Sequence, residues 1–226
     1  MITLNPNNQA ISYLIDEFHS GFITGIYGNA SSGKTTTCLL AAISAIKNQK
    51  KVIFIDTEKT FSIDRFNQLI KKEKEFTKNY LDYLFLLQPT NFFELHEQIS
   101  KIYNSKTSKF FILIIDSISN FYKLELNKEP KKINMLMGQQ IQSLIRIARD
   151  KDKIVLITNQ VKADFSDNKN FKMIANKMFS NMCQTIIELN KIDDKKRQAK
   201  LIKHKLDESL VGKTIFYEIK ENGIFI

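Results

Sequence analysis

Positions 28 to 35 read Gly28-Asn29-Ala30-Ser31-Ser32-Gly33-Lys34-Thr35: two glycines separated by four residues, then at once a lysine and a threonine. Few patterns of eight residues constrain a fold so tightly. The glycines let the backbone curl until successive N–H groups converge on an anion. The lysine can reach β- and γ-phosphates, and the hydroxyl can hold a divalent cation. This works only if a strand delivers the chain into the loop and a helix N-terminus leads out of it. Both are readable: Phe22 to Tyr27 is an apolar strand-like run, and Thr35 to Asn48 carries Leu39, Leu40, Ile43 and Ile46 on one helical face. The loop, with Thr36 just beyond it, is expected to bind ATP with Mg²⁺.

Elsewhere short apolar runs alternate with helical periodicity, which points to βαβ units and a mainly parallel sheet. Val52 to Ile55, Tyr83 to Leu87, Phe110 to Ile115 and Ile154 to Thr158 read as strands. Ser62 can cap a helix that turns Phe66, Leu69 and Ile70 inward. Phe93, Leu95, Ile99 and Ile102 suggest a second helix, and Asn134 to Asp150 a third, with Met137, Ile141, Leu144, Ile145 and Ala148 on its apolar face. Residues 117 to 132 are expected to form a loop. Thr185 to Leu189, Ala199 to Ile202 and Thr214 to Ile219 follow one another with no helical pattern between them, as in an antiparallel extension of the sheet. The fold class expected is α/β, and 226 residues suit a single domain spanning 1–226.

Composition narrows the chemistry. Cys38 and Cys183 are far apart, as are His19, His96 and His204, so neither a disulfide framework nor a zinc site is indicated. No signal peptide and no membrane-length apolar run is present, which points to the cytoplasm. A formal charge of +10 favours polyanionic partners. Only four of the 34 basic residues are arginine, with no cluster to close over a transferred phosphoryl group, which argues against a small-molecule kinase.

A triphosphate site also needs a rigid carboxylate for Mg²⁺, and Phe110 to Ile115 ends in Asp116. Hydrolysis needs a group that activates water. Glu58, just past the strand ending at Ile55, would emerge at the same sheet edge and is the candidate base, although helix capping or plain surface exposure would also account for it. Thr158-Asn159-Gln160 ends another strand, and an amide there could sense the terminal phosphate.

In order and spacing, these segments resemble the RecA/RadA recombinase family, and within it the archaeal RadB branch. The residues that carry the resemblance are Gly21 to Gly28, the phosphate loop, Ile55-Asp56-Thr57-Glu58-Lys59-Thr60-Phe61, Asp116-Ser117, Leu156 to Val161, Leu201 to Lys205 and Phe216 to Ile219. About twenty residues precede the first strand, too few for the helix-hairpin-helix domain that RadA carries. The resemblance implies a RecA-like P-loop ATPase core with Glu58 as catalytic glutamate, Gln160 as γ-phosphate sensor and Arg65 stacked on adenine. It makes Lys203 and Lys205 candidates for reaching a neighbouring subunit's ATP. It also implies weak ATPase activity, little strand exchange, and as partners DNA, a cognate RadA-type recombinase and a second copy of the chain.

Two departures stand out. Lys59 occupies a position where recombinases usually have glycine, and the stretch after Gln160 is short, with no Gly-Gly pair. Within it Lys162, Lys169, Lys172 and Lys177 are interleaved with Phe165, Phe171 and Phe179, a mixture able to meet phosphates and stack on the bases of single-stranded DNA. Lys195, Lys196, Arg197, Lys200, Lys203 and Lys205 form a denser basic cluster. The competing expectation is a KaiC-like regulatory ATPase that acts through protein contacts and not DNA.

Overall fold

The computed structural model describes residues 1–70, 80–105, 109–126, 128–163, 171–173 and 176–226, with the backbone alone described at 123, 160–163, 171–173, 176 and 177. The first twenty residues form more than a lead-in. β1 (Thr3–Leu4) and β2 (Phe18–His19) pair antiparallel around α1 (Gln9–Ile15). Asn8 caps α1, its side chain accepting the Ile11 N–H at 3.2 Å.

β3 (Ile23–Gly28) leads through the phosphate loop into α2 (Lys34–Lys47), and β4 (Val52–Asp56), α3 (Ile63–Ile70), β5 (Leu84–Leu87), α4 (Phe92–Asn104) and β6 (Ile112–Asp116) follow. Next come α5 (Asn120–Leu126), α6 (Pro130–Asp150), β7 (Ile154–Ala163), β8 (Phe171–Met173) and α7 (Asn176–Met182). The chain ends in β9 (Thr185–Lys191), β10 (Lys196–His204), β11 (Thr214–Lys220) and β12 (Gly223–Phe225).

The main sheet runs β12-β11-β10-β9-β3-β7-β6-β4-β5, with β8 attached to the end of β7. From β9 to β5 all pairings are parallel, and β9 to β12 are antiparallel, as the runs without intervening helices suggested. The inner strands are apolar because both faces are covered. One cluster packs α1, α2 and α3 on the sheet and the other packs α4, α5, α6 and α7. Ile112, Leu113, Ile114 and Ile115 are fully buried, each contributing about 1.5–3 kcal/mol of transfer free energy.

Three local expectations need correction. Residues 117 to 132 are not a loop: α5 lies within them, and α6 begins at Pro130, where a residue without an N–H costs nothing in the first turn. Phe93 does not face the core. Asn91 caps α4, which sets the buried stripe at Phe92, Leu95, Ile99 and Ile102 and leaves Phe93 44% exposed. In α6 Ile145 is half-buried, and the buried face includes Ile133, Gln140 and Ile147.

Candidate nucleotide site

Register brings the chemistry to one edge. β4 and β6 pair Asp56 with Asp116, β3 pairs Gly28 with Gln160 of β7, and on its other side β3 pairs Gly28 with Leu189 of β9. The carboxyl ends of four parallel strands therefore meet where β3 enters the loop, which is the usual location of ligand sites in open α/β sheets.

The loop is held by close packing. A Cβ at position 28 would lie 1.8 Å from the Leu189 carbonyl oxygen, so only glycine fits between β3 and β9. Gly33 has φ 97°, a left-handed turn that starts α2 and aims its first N–H groups into the loop. The Lys34 ammonium donates to the carbonyls of Gly28 (3.0 Å) and Asn29 (2.8 Å). Burial lowers its pKa, and the nearby Asp116 and Glu58 carboxylates oppose that shift.

Thr35 Oγ1 donates to Asp116 Oδ2 at 2.6 Å, and Thr158 Oγ1 donates to Asp116 Oδ1. Burial raises the Asp116 pKa, against the hydrogen bonds from Thr158 and Thr35, which favour the charged form. A hydroxyl and a carboxylate in contact are hard oxygen donors suited to Mg²⁺, which takes one or two protein ligands and completes its shell with phosphate oxygens and water. Thr35 and Asp116 would hold the ion, and its charge would neutralise that developing on the phosphates.

Glu58 is half-buried and its Oε1 accepts a hydrogen bond from Ser117 Oγ at 2.7 Å. The turn that presents it is built on Asp56. That carboxylate, fully buried, accepts the N–H groups of Glu58 (3.3 Å), Thr60 (3.2 Å) and Phe61 (2.9 Å) and the Gln88 amide (3.1 Å). Lys59, read as standing where recombinases usually have glycine, has φ 55°. Thr57 closes the back: its N–H meets the Asp116 carbonyl at 2.9 Å and its hydroxyl the Ser117 carbonyl at 2.7 Å.

Beside the loop lies a cleft of about 380 Å³ lined by Ser31, Gly33, Thr36, Arg65, Arg197 and Ile219, together with Lys34 and Thr35. Arg65, read as an adenine-stacking residue, borders this cleft, its guanidinium fixed by the carbonyls of Glu221 (2.7 Å) and Lys220 (2.9 Å). The C-terminal strands also brace the loop itself. Lys191 N–H donates to Asn29 Oδ1 (2.9 Å), Arg197 Nε to the Ser31 carbonyl (3.0 Å) and the buried Tyr217 hydroxyl to the Ser32 carbonyl (2.5 Å).

Other sequence candidates lie elsewhere. Lys203 donates to the carbonyls of Ser180 (2.9 Å) and Cys183 (2.7 Å) at the end of α7. With exposed Lys205, it sits at the sheet edge away from the chain's own loop. The Gln160 side chain lies outside the described residues, as do those of Lys162, Lys172 and Lys177 and all of Lys169. Backbone register places Lys162 opposite Lys172. Sequence reasoning named Asp56, Ser117, Arg197 and Tyr217 only within longer runs and gave none of them a role at this site. An aspartate two residues before the candidate base was the one available signal.

Among the described residues, no helix is long and apolar enough to cross a membrane. The Rad51 family model matches residues 2–225. The DNA repair and recombination protein RadB of Methanococcoides burtonii is 34% identical over 209 residues, covering 92% of this chain and 90% of that protein. The RadB protein of Methanosphaera stadtmanae is 33% identical, covering 98% and 95%. Among solved structures, the crystal structure of the RadB recombinase superposes with a TM-score of 0.80 at 28% identity, covering 98% of both chains. The family model and these relatives span almost the full length, and the chain belongs to the Rad51 family of RecA-like proteins, within its RadB branch.

Proposed function

We propose that this chain is an ATP- and DNA-binding accessory protein of homologous recombination and DNA repair. It works in the cytoplasm beside a RadA-type recombinase and hydrolyses ATP weakly, with Mg²⁺ and little strand exchange of its own. The observation that carries the nucleotide half is the 2.6 Å contact between Thr35 and Asp116 at the mouth of the phosphate loop. The names of the relatives support the recombination half.

In this reading the loop N–H groups and Lys34 hold the phosphates, and Glu58 accepts the proton of the attacking water. Ser117 fixes the Glu58 carboxylate, and Gln160 reports the terminal phosphate to the segment that follows. Lys162, Lys169, Lys172 and Lys177 meet single-stranded DNA.

Lys34→Ala should weaken ATP binding by roughly 10- to 100-fold, the loss of one charge-assisted contact, measured by calorimetry against wild type. Equal affinity would refute the phosphate assignment. Binding to single-stranded DNA should weaken steeply between low and physiological salt, because each phosphate contact releases a counterion. A chain that binds ATP but shows no salt-sensitive DNA binding would fit a KaiC-like protein-contact ATPase instead. A pull-down with the cognate recombinase, with ATP turnover measured with and without DNA, tests the accessory role.

A further inference from the structure

The cleft beside the loop is lined by three cations, Lys34, Arg65 and Arg197, and no carboxylate is among its described lining residues. The ammonium of Lys34 lies on the loop carbonyls, and both terminal nitrogens of Arg65 are taken by the carbonyls of Lys220 and Glu221. Arg197 is held differently. Its Nε bonds the Ser31 carbonyl, and its Nη1 bonds the carbonyls of Lys195 (2.9 Å) and Asp194 (3.4 Å) in its own hairpin. Nη2 makes no hydrogen bond among the described residues.

These contacts fix the guanidinium plane at the rim of the loop before any ligand arrives, which lowers the ordering cost of a further contact. Both hairpin carboxylates feel the Arg197 charge, but Asp194 pairs with Lys191 at 2.8 Å, Asp193 accepts the N–H groups of Lys195 (2.9 Å) and Lys196 (2.7 Å), and neither forms an ion pair with Arg197 among the described residues. A purely structural arginine would serve to tie the hairpin to the loop. The Lys191 N–H already provides such a tie, without charge, at Asn29 Oδ1, and Tyr217 of β11 adds another at the Ser32 carbonyl.

We propose that Arg197 is a nucleotide-binding residue, a second cation directed at the phosphates of ATP and supplied by the β9–β10 hairpin. The proposal rests on the nucleotide reading of the loop and adds to it the chemistry of the rim. Calorimetry with ATP, ADP and inorganic tripolyphosphate on wild type, Arg197→Ala, Arg197→Lys and Tyr217→Phe tests it.

Arg197→Ala should bind all three ligands about tenfold more weakly, and its affinity should depend less steeply on salt. Arg197→Lys should recover the salt dependence but only part of the affinity, because an ammonium lacks the fork that grips three carbonyls. Tyr217→Phe should lose affinity with the salt dependence intact. The inference is overturned if Arg197→Ala binds as wild type, weakens with an unchanged salt dependence, or loses ATP while keeping tripolyphosphate. Failure of wild type to bind any of the three ligands would instead remove the nucleotide site itself.

Discussion

Glu58→Gln should bind ATP as tightly as wild type and hydrolyse it about 10²- to 10⁴-fold more slowly. The amide has the shape of the carboxylate and can still accept from Ser117 through its oxygen, so the turn held by Asp56 should not move. What it loses is the capacity to take a proton from water. Phosphate release in single-turnover assays, set beside nucleotide affinity, separates the two properties. Unchanged turnover would transfer the role of base to another group. Ser117→Ala keeps the carboxylate but removes one hydrogen bond that positions it, and should lower turnover less.

Gly28→Ala is expected to be the most damaging methyl that can be added to the loop. Its Cβ would overlap the Leu189 carbonyl oxygen at 1.8 Å and crowd Ser32 Oγ at 2.9 Å. The first obstacle is main chain, so no side chain can rotate away, and β3 and β9 would have to separate where they support the loop. We expect a stability loss of about 4 kcal/mol or more, measured by urea unfolding, together with loss of nucleotide binding. Gly138 in α6 is the internal control. Nothing lies within 4 Å of its hypothetical Cβ, so Gly138→Ala should stabilise by about 1 kcal/mol through helix propensity alone. Similar losses at both positions would refute the packing argument.

The parts of this molecule legible in its sequence are those whose requirements are local. A phosphate loop must be glycine-rich, flanked by a strand and a helix, and it announces itself within eight residues. Asp116 was readable because a strand buried on both faces leaves an unbroken apolar run, against which one carboxylate is conspicuous. The helix at 120–126 was not readable. It is only seven residues long, and its inward residues Phe121, Tyr122 and Leu126 span less than two turns, too short a run to tell from a turn.

Arg197 and Tyr217 escaped for another reason. Each reaches the loop through sheet register, across sequence separations of 166 and 185 residues, and nothing in the basic cluster around Arg197 or the strand around Tyr217 points to the loop. Asp56 escaped because a buried carboxylate that only organises backbone N–H groups looks, from sequence, like a neighbour of the catalytic candidate.

The bracing of the loop by β9 to β11 has a consequence for the order in which the protein matures. Residues 28 to 35 leave the ribosome before their sheet neighbours β7 and β9 and before the hydroxyl that secures Ser32. Such long-range pairings form slowly, because the ends of a long segment must meet before any contact rewards them. The proposed grip on ATP therefore forms only after β9 and β11 have been made, so a nucleotide can act as a check on folded chains but not as a template for unfinished ones.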